Sequence, residues 1–380
     1  MDQTVGRNGG APGGAGSRRL LLSTALATAG ETRLALVIAV VAFVAFLAVV
    51  PLARVPLARM PAFIPGYQAA LFFIDLITAV LLYDQFVRVQ TRGILFLAAG
   101  YLFDAFIIVA HTLSFPGAFA PTGLLGGNDQ TTAWLYVFWH GGFPLFVMCY
   151  VIWDRGVIDK DRSPWTPRQV IWGIIGSIVG VAVLTLAFVL IATVGHDLLP
   201  IVMQGGDYSL LVTKGISPTV WGLTFIAMLL LWRREQRVMD LWLMLVMWIW
   251  LLDIALSAVV GSSRFDLGFY VGRLFGLIAA SFLVLALIVE TIKLYSSALS
   301  EAASAEQKVA ELKRAYASAE ISPSKKGGGE PVEAYVQKQN IAYYQTLLKS
   351  MSLGEDQRRT VEKLLSEEKG KLGRLPPASD

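Results

Sequence analysis

The feature that most constrains this chain is the gathering of its apolar residues into nearly uncharged runs. Most are about 18 to 25 residues long, enough to cross a hydrocarbon core about 30 Å thick. Eight spans can be read: Leu34–Leu52, Tyr67–Val87, Ile94–Leu113, Ala133–Trp153, Val170–Val194, Thr219–Trp232, Met239–Val260 and Phe269–Ile292. The sixth has only about 14 residues before Arg233 and spans fully only if Gly215, Ile216, Ser217 and Pro218 form its entry. Charged residues make up 16% of the chain, where a soluble domain carries about a quarter. The predicted fold is all-α, a polytopic helical membrane protein with about eight transmembrane helices and a helical tail.

Loop charge orients the bundle. Arg7, Arg18, Arg19 and Arg33, then Arg88 and Arg92, then Arg155, Lys160, Arg162 and Arg168, then Arg233, Arg234 and Arg237 fall on one side. The other side has only Arg54, Arg59, Lys214 and Arg264. Basic loops stay inside, so both termini are expected in the cytoplasm. The net charge of +4 is thus a topology signal and not one for nucleic acid. The single cysteine, Cys149, permits no intramolecular disulfide and no Cys-rich metal site.

Residues 1–32 are rich in Gly and Ala and read as a disordered tail. Arg18-Arg19 before Leu20-Leu21-Leu22 faintly resembles the start of a signal peptide, but Thr24, Thr28 and Glu31 interrupt the apolar stretch and no cleavage is expected. The eight-helix membrane domain covers 33–297. In 298–321, Ala302, Ala305, Val309, Leu312, Tyr316 and Ala319 repeat at coiled-coil spacing, which fits either a weak seam or a simple extension of the last span. A flexible linker at 322–330 leads to two amphipathic helices in 331–380. Val332, Val336, Ile341, Tyr344, Leu347 and Leu348 line the first, and Val361, Leu364, Leu365 and Leu372 the second. Two such helices cannot bury a complete core, so a second copy or a partner signalling protein is expected on them.

Ionisable groups inside a membrane are costly and direct attention to function. At about 1.5 Å per residue, Asp75, His111, His140, Asp253 and Arg273 all fall in the outer half of the bilayer, with Asp104 nearest the midplane. Together they make a candidate ligand or sensory pocket open to the outside. Alternatively, Arg273 pairs with Asp253 or Asp75 and the histidines satisfy interhelical hydrogen bonds. His111 and His140 are also the only candidates for a metal or haem; the cofactor, if any, is not legible. The irregular stretches Ser114–Thr132 and Gly195–Ser217 either cover the outer mouth or merely connect helices. Trp134 to Pro144 opens the fourth span either as an interfacial aromatic anchor or, because Gly141, Gly142 and Pro144 weaken the helix, as a place where a neighbouring helix or a ligand approaches closely.

Pro61-Ala-Phe-Ile-Pro65, Ala70 to Leu82, Gly100-Tyr-Leu-Phe103, Phe115-Pro-Gly-Ala-Phe119, Gln130-Thr-Thr-Ala-Trp134, Trp139-His-Gly-Gly-Phe-Pro-Leu145 and Tyr270-Val-Gly-Arg273-Leu-Phe-Gly276 resemble the membrane-associated sensor domains of the MASE class, fourth-numbered type. The resemblance covers roughly residues 33 to 297. It implies a bacterial inner-membrane input module of the kind joined to histidine kinases or diguanylate cyclases, and it supplies no ligand. No histidine follows His196, no Gly-Gly-Asp/Glu-Glu-Phe segment occurs, and Gly205-Gly206-Asp207 lacks its acidic continuation, so no enzymatic output is expected. The expected function is a sensory protein signalling through its C-terminal helices. A small-solute transporter or channel is the alternative, though no internal repeat accompanies it. A scaffold without a ligand is the third reading.

Overall fold

The computed structural model describes residues 22–125, 128–154, 165–261, 263–320, 332–349 and 355–373. The tail before Leu22, the linker 322–330 and the loop charges Arg7, Arg18, Arg19, Arg155, Lys160 and Arg162 lie outside the described residues. Among the described residues every regular element is helical: α1 (Ala29–Val49), α2 (Phe63–Val89), α3 (Arg92–Ser114), α4 (Asp129–Trp153), α5 (Pro167–Thr193), α6 (Ser209–Thr213), α7 (Ile216–Trp232), α8 (Val238–Ala255), α9 (Leu267–Glu320), α10 (Val332–Lys349) and α11 (Glu355–Leu372). Seven of these are long and apolar enough to cross a membrane, and α7 is the shorter eighth. Its 17 residues rise about 25 Å. Its entry is the one expected, because Gly215 adopts a left-handed conformation and lets the helix begin at Ile216, ahead of Pro218.

Burial separates centre from periphery. The spanning stretches of α3 and α8 are 78% and 72% buried, whereas those of α1 and α5 are 6% and 11% buried. The outward residues of α1 include Leu36, Val37, Val40, Val41, Val44 and Leu47, an apolar surface that only lipid tails tolerate. Helix starts use local chemistry. Thr28 and Glu31 form a reciprocal capping box on α1, and Thr166 with Gln169 does the same on α5, where Pro167 takes the first helical position. Replacing Thr28 by Ala is expected to cost about 1 kcal/mol, read as a small fall in Tm of the purified protein. An unchanged Tm would show that packing alone holds the start of α1.

The described end of the segment 1–32 is held rather than free. Ala27 N–H donates to the Gln236 carbonyl at 2.9 Å, and Val238 N–H donates to Ala25 at 3.0 Å. The α7–α8 turn they grip carries Arg234 and Arg237, whose role goes beyond loop charge. Both donate to Asp154 Oδ2, at 2.6 and 2.7 Å, and Arg234 also reaches Asp240 at 3.4 Å. Asp240 accepts the Tyr150 hydroxyl at 2.5 Å. This ion-pair network clamps α4, the α7–α8 turn and α8 at one end of the bundle.

At the other end run the two long connections. The stretch expected to be irregular over Gly195–Ser217 contains the short α6 and a turn at His196–Leu198. The last turn of the seventh span, Leu256–Val260, widens into a π-helix. Helix α4 stays continuous through Pro144, which removes the N–H that would bond the His140 carbonyl. What approaches closely at Gly142 is a neighbouring helix: a Cβ there would lie 2.6 Å from the Phe103 ring of α3.

The described residues form two compact units, divided between Ser300 and Glu301. Helix α9 runs unbroken for 54 residues, so the eighth span and the segment after it are one helix as far as Glu320. Ile292, Tyr295, Leu299 and Val309 are exposed along it. In the second unit α10 and α11 pack on each other, half-burying Val336, Ile341, Tyr344, Leu348, Val361, Leu365 and Leu372 while Leu364 stays exposed.

Candidate functional site

A cavity of about 40 Å³ opens at the long-loop end of the bundle. Its wall draws His111 from the end of α3, Thr132 and Tyr136 from the start of α4, Ser257 and Ala258 from the π-helical turn, and Phe269 and Arg273 from the start of α9. Phe115, Met203, Tyr208 and Arg264 come from the connections. The long connections therefore cover the mouth rather than merely linking helices. Gln130 fastens one of them, accepting from the N–H groups of Val202 and Met203 at 2.7 and 3.1 Å and donating to the Met203 carbonyl at 2.5 Å. Trp134 adds a bond from its indole N–H to the Pro200 carbonyl at 3.1 Å.

Arg273 is buried, with its guanidinium 3.6 Å from the centroid of Phe269 and 5.8 Å from that of Tyr136. Nη1 donates to the Phe269 carbonyl at 3.0 Å. The expected pairing with Asp253 or Asp75 is not formed, and among the described residues no carboxylate stands within 4.0 Å of it. The reason is that Asp253 is committed elsewhere. Gly272 and Gly276, one turn apart on α9, admit its carboxylate against the helix, since a Cβ at either would lie 2.9 Å from one of its oxygens. Ser257 bonds Asp253 Oδ1 at 3.2 Å, and His140 Nε2 stands 3.6 Å from Oδ2.

The histidines occupy different layers. Thr112 Oγ1 stands 2.7 Å from Gln68 Oε1 and 2.7 Å from the Ile108 carbonyl, and the Gln68 amide nitrogen lies 2.7 Å from His111 Nδ1. His140 donates from Nδ1 to the Tyr136 carbonyl at 3.0 Å and is enclosed by the rings of Tyr136, Trp139 and Trp250. Both histidines touch Trp139, at 6.0 and 4.5 Å between ring centroids. Among the described residues no three His, Cys, Asp or Glu side chains converge as a metal centre requires.

Asp104 and Asp75 lie outside the cavity wall, buried and electrostatic neighbours of each other. Among the described residues neither Asp104 oxygen has a hydrogen-bond partner. The Trp139 indole N–H is close by but outside bonding geometry, and the Tyr101 hydroxyl is likewise unpaired. The six predicted residues therefore separate. His111 and Arg273 line the cavity, His140 and Asp253 form a buried pair behind it, and Asp75 with Asp104 sits apart from both.

Sequence reasoning passed over Tyr208, Ser257, Gln68 and the glycine pair. Ser257 stands one helical turn after Asp253, and Gly272 and Gly276 have small-xxx-small spacing, so those signals were available. Tyr208 had none. Its hydroxyl is buried and, among the described residues, lacks a hydrogen-bond partner. Burial pushes the phenol up from its ordinary value, with Asp266 adding to the effect and Arg273 opposing it. It is a neutral O–H donor.

Residues 58–295 match the model of the family described as membrane-associated sensor, integral membrane domain (MASE4), over more than half of the chain. The chain belongs to that family. Its members are membrane sensory input domains and not a catalytic family. No curated protein and no solved structure matches the chain.

Proposed function

We propose that this chain is a sensory input unit of the bacterial inner membrane. Both termini lie in the cytoplasm, and the cavity around His111 and Arg273 opens outward. A stimulus there biases the packing of α8 on α9 through Asp253, His140 and the glycine pair. The output is the state of the C-terminal helices, which bind a second copy or a partner signalling protein; the chain itself performs no catalysis. One observation carries this reading: the helix that supplies Phe269 and Arg273 to the cavity wall continues without a break to Glu320. A signal needs an element that both ends bias, and α9 is that element. The exposed Ile292, Tyr295 and Leu299 continue the spacing of the Ala-rich seam toward the membrane and, with the exposed Val309 of the seam itself, support pairing with a second helix. The sidedness rests on loop charge, with Arg88, Arg233, Arg234 and Arg237 at the end away from the cavity.

The test places a cysteine at Val309 in a Cys149→Ser background and follows disulfide crosslinking in native membranes. His140→Ala is expected to change the crosslinked fraction several-fold while membrane abundance stays the same. Loss of folded protein with no change in crosslinking would mean that His140 only packs. Solute flux through reconstituted vesicles, independent of crosslinking, would favour the transporter alternative.

A further inference from the structure

We propose that the cavity at the long-loop end binds a small oxyanion of the carboxylate class, with the Arg273 guanidinium as its anchor. The inference rests on the sensory reading of the same cavity and names its ligand class.

Charge comes first. Arg273 carries a permanent charge in a buried wall, and among the described residues only one of its five N–H donors has a protein acceptor. The nearby carboxylates are taken. Asp253 faces Gly272, Gly276, Ser257 and His140, and Asp266 accepts the N–H groups of Phe269 and Ser263 at 2.7 and 3.2 Å. Arg264, with its guanidinium 5.1 Å from the Phe115 centroid, adds a second cation to the wall.

A separate observation points the same way. Tyr208 lines the same wall, and among the described residues its buried hydroxyl has no hydrogen-bond partner, a costly arrangement unless a ligand accepts from it. His111, its Nδ1 in a hydrogen bond with Gln68, lines the same wall. The cavity thus presents donors and cations, which suits an acceptor-only ligand.

Size narrows the class. A volume of about 40 Å³ holds about three water-sized groups. A planar ion of three or four heavy atoms fits, and the guanidinium fork matches two carboxylate oxygens.

The experiment titrates the full chain, purified in mild detergent, with sodium formate and sodium acetate at constant ionic strength by calorimetry. Choline chloride serves as the cationic control. Saturable binding of formate or acetate, weakened at least tenfold by Arg273→Gln and partly kept by Arg273→Lys, is the expected result. Tyr208→Phe removes only the unpartnered hydroxyl, so the unliganded Tm should hold or rise while affinity falls several-fold. No binding to the wild-type chain, or equal binding by folded Arg273→Gln, overturns the proposal. If Arg273→Gln does not fold, unchanged affinity in Tyr208→Phe overturns it instead. The Val309→Cys crosslinking assay separates the two readings. Anion binding that leaves crosslinking unmoved keeps the anion site and overturns the sensory role. A crosslinking response to His140→Ala without anion binding overturns the ligand class alone.

Discussion

Replacing Asp154 by Ala is expected to lower stability by about 3–5 kcal/mol, the cost of leaving buried charges without their partner. Asp154 Oδ2 receives Arg234 at 2.6 Å and Arg237 at 2.7 Å, and its side chain is 2% exposed. Arg237 also donates to the Ser23 carbonyl at 3.1 Å, and Arg234 to the Asp154 carbonyl at 2.9 Å. One carboxylate therefore joins α4, the α7–α8 turn and the segment before α1. Arg237→Met removes one of the two Asp154 pairs and should cost less than Asp154→Ala. The readout is the Tm of the full chain in mild detergent. If Asp154→Ala melts with the wild type, the network contributes nothing to folding and its arginines serve orientation alone.

Gly272→Ala should destabilise the bundle by about 1–3 kcal/mol, the range for overpacking a close contact. Its new Cβ would meet Asp253 Oδ1 and Ser257 Cβ at 2.9 Å and the Asp253 carbonyl at 3.2 Å, and the backbone cannot swing aside. Gly276→Ala meets mainly the Asp253 carboxylate, at 2.9 Å from Oδ2, so a side chain can yield and the cost is smaller. The two positions differ further in a double mutant. Asp253→Ala should offset much of the Gly276→Ala penalty, since contacting residues are not additive, but little of the Gly272→Ala penalty. Tm values for the four variants decide the matter, and equal rescue at both glycines would refute the packing account. In the Val309→Cys background, Gly276→Ala is also expected to change crosslinking, because it moves the carboxylate that faces His140.

Much of the architecture was legible because a bilayer imposes a length rule on each helix separately. The spans from Tyr67–Val87 to Met239–Val260 fall within or nearly on the helices found, and even the short sixth begins at the Gly215 entry that the length argument required. The cost of ionisable groups in hydrocarbon likewise marked Asp75, Asp104, His111, His140, Asp253 and Arg273. All six are buried.

What the sequence determined by itself is therefore the class, the helices, the family and the list of costly residues, since each depends on composition along one segment. Which of those residues share a space was decided only by the tertiary structure. The Arg273–Asp253 pair that charge alone favours does not form. Two α9 glycines draw the carboxylate against the helix, and the Phe269 ring and carbonyl hold the guanidinium toward the cavity. The Tyr208 donor and the α4–α8 clamp at Asp154 join groups far apart in the chain. Segment-by-segment periodicity carries no record of such contacts, because rotation and register between helices are set by small residues and polar bonds across their interfaces.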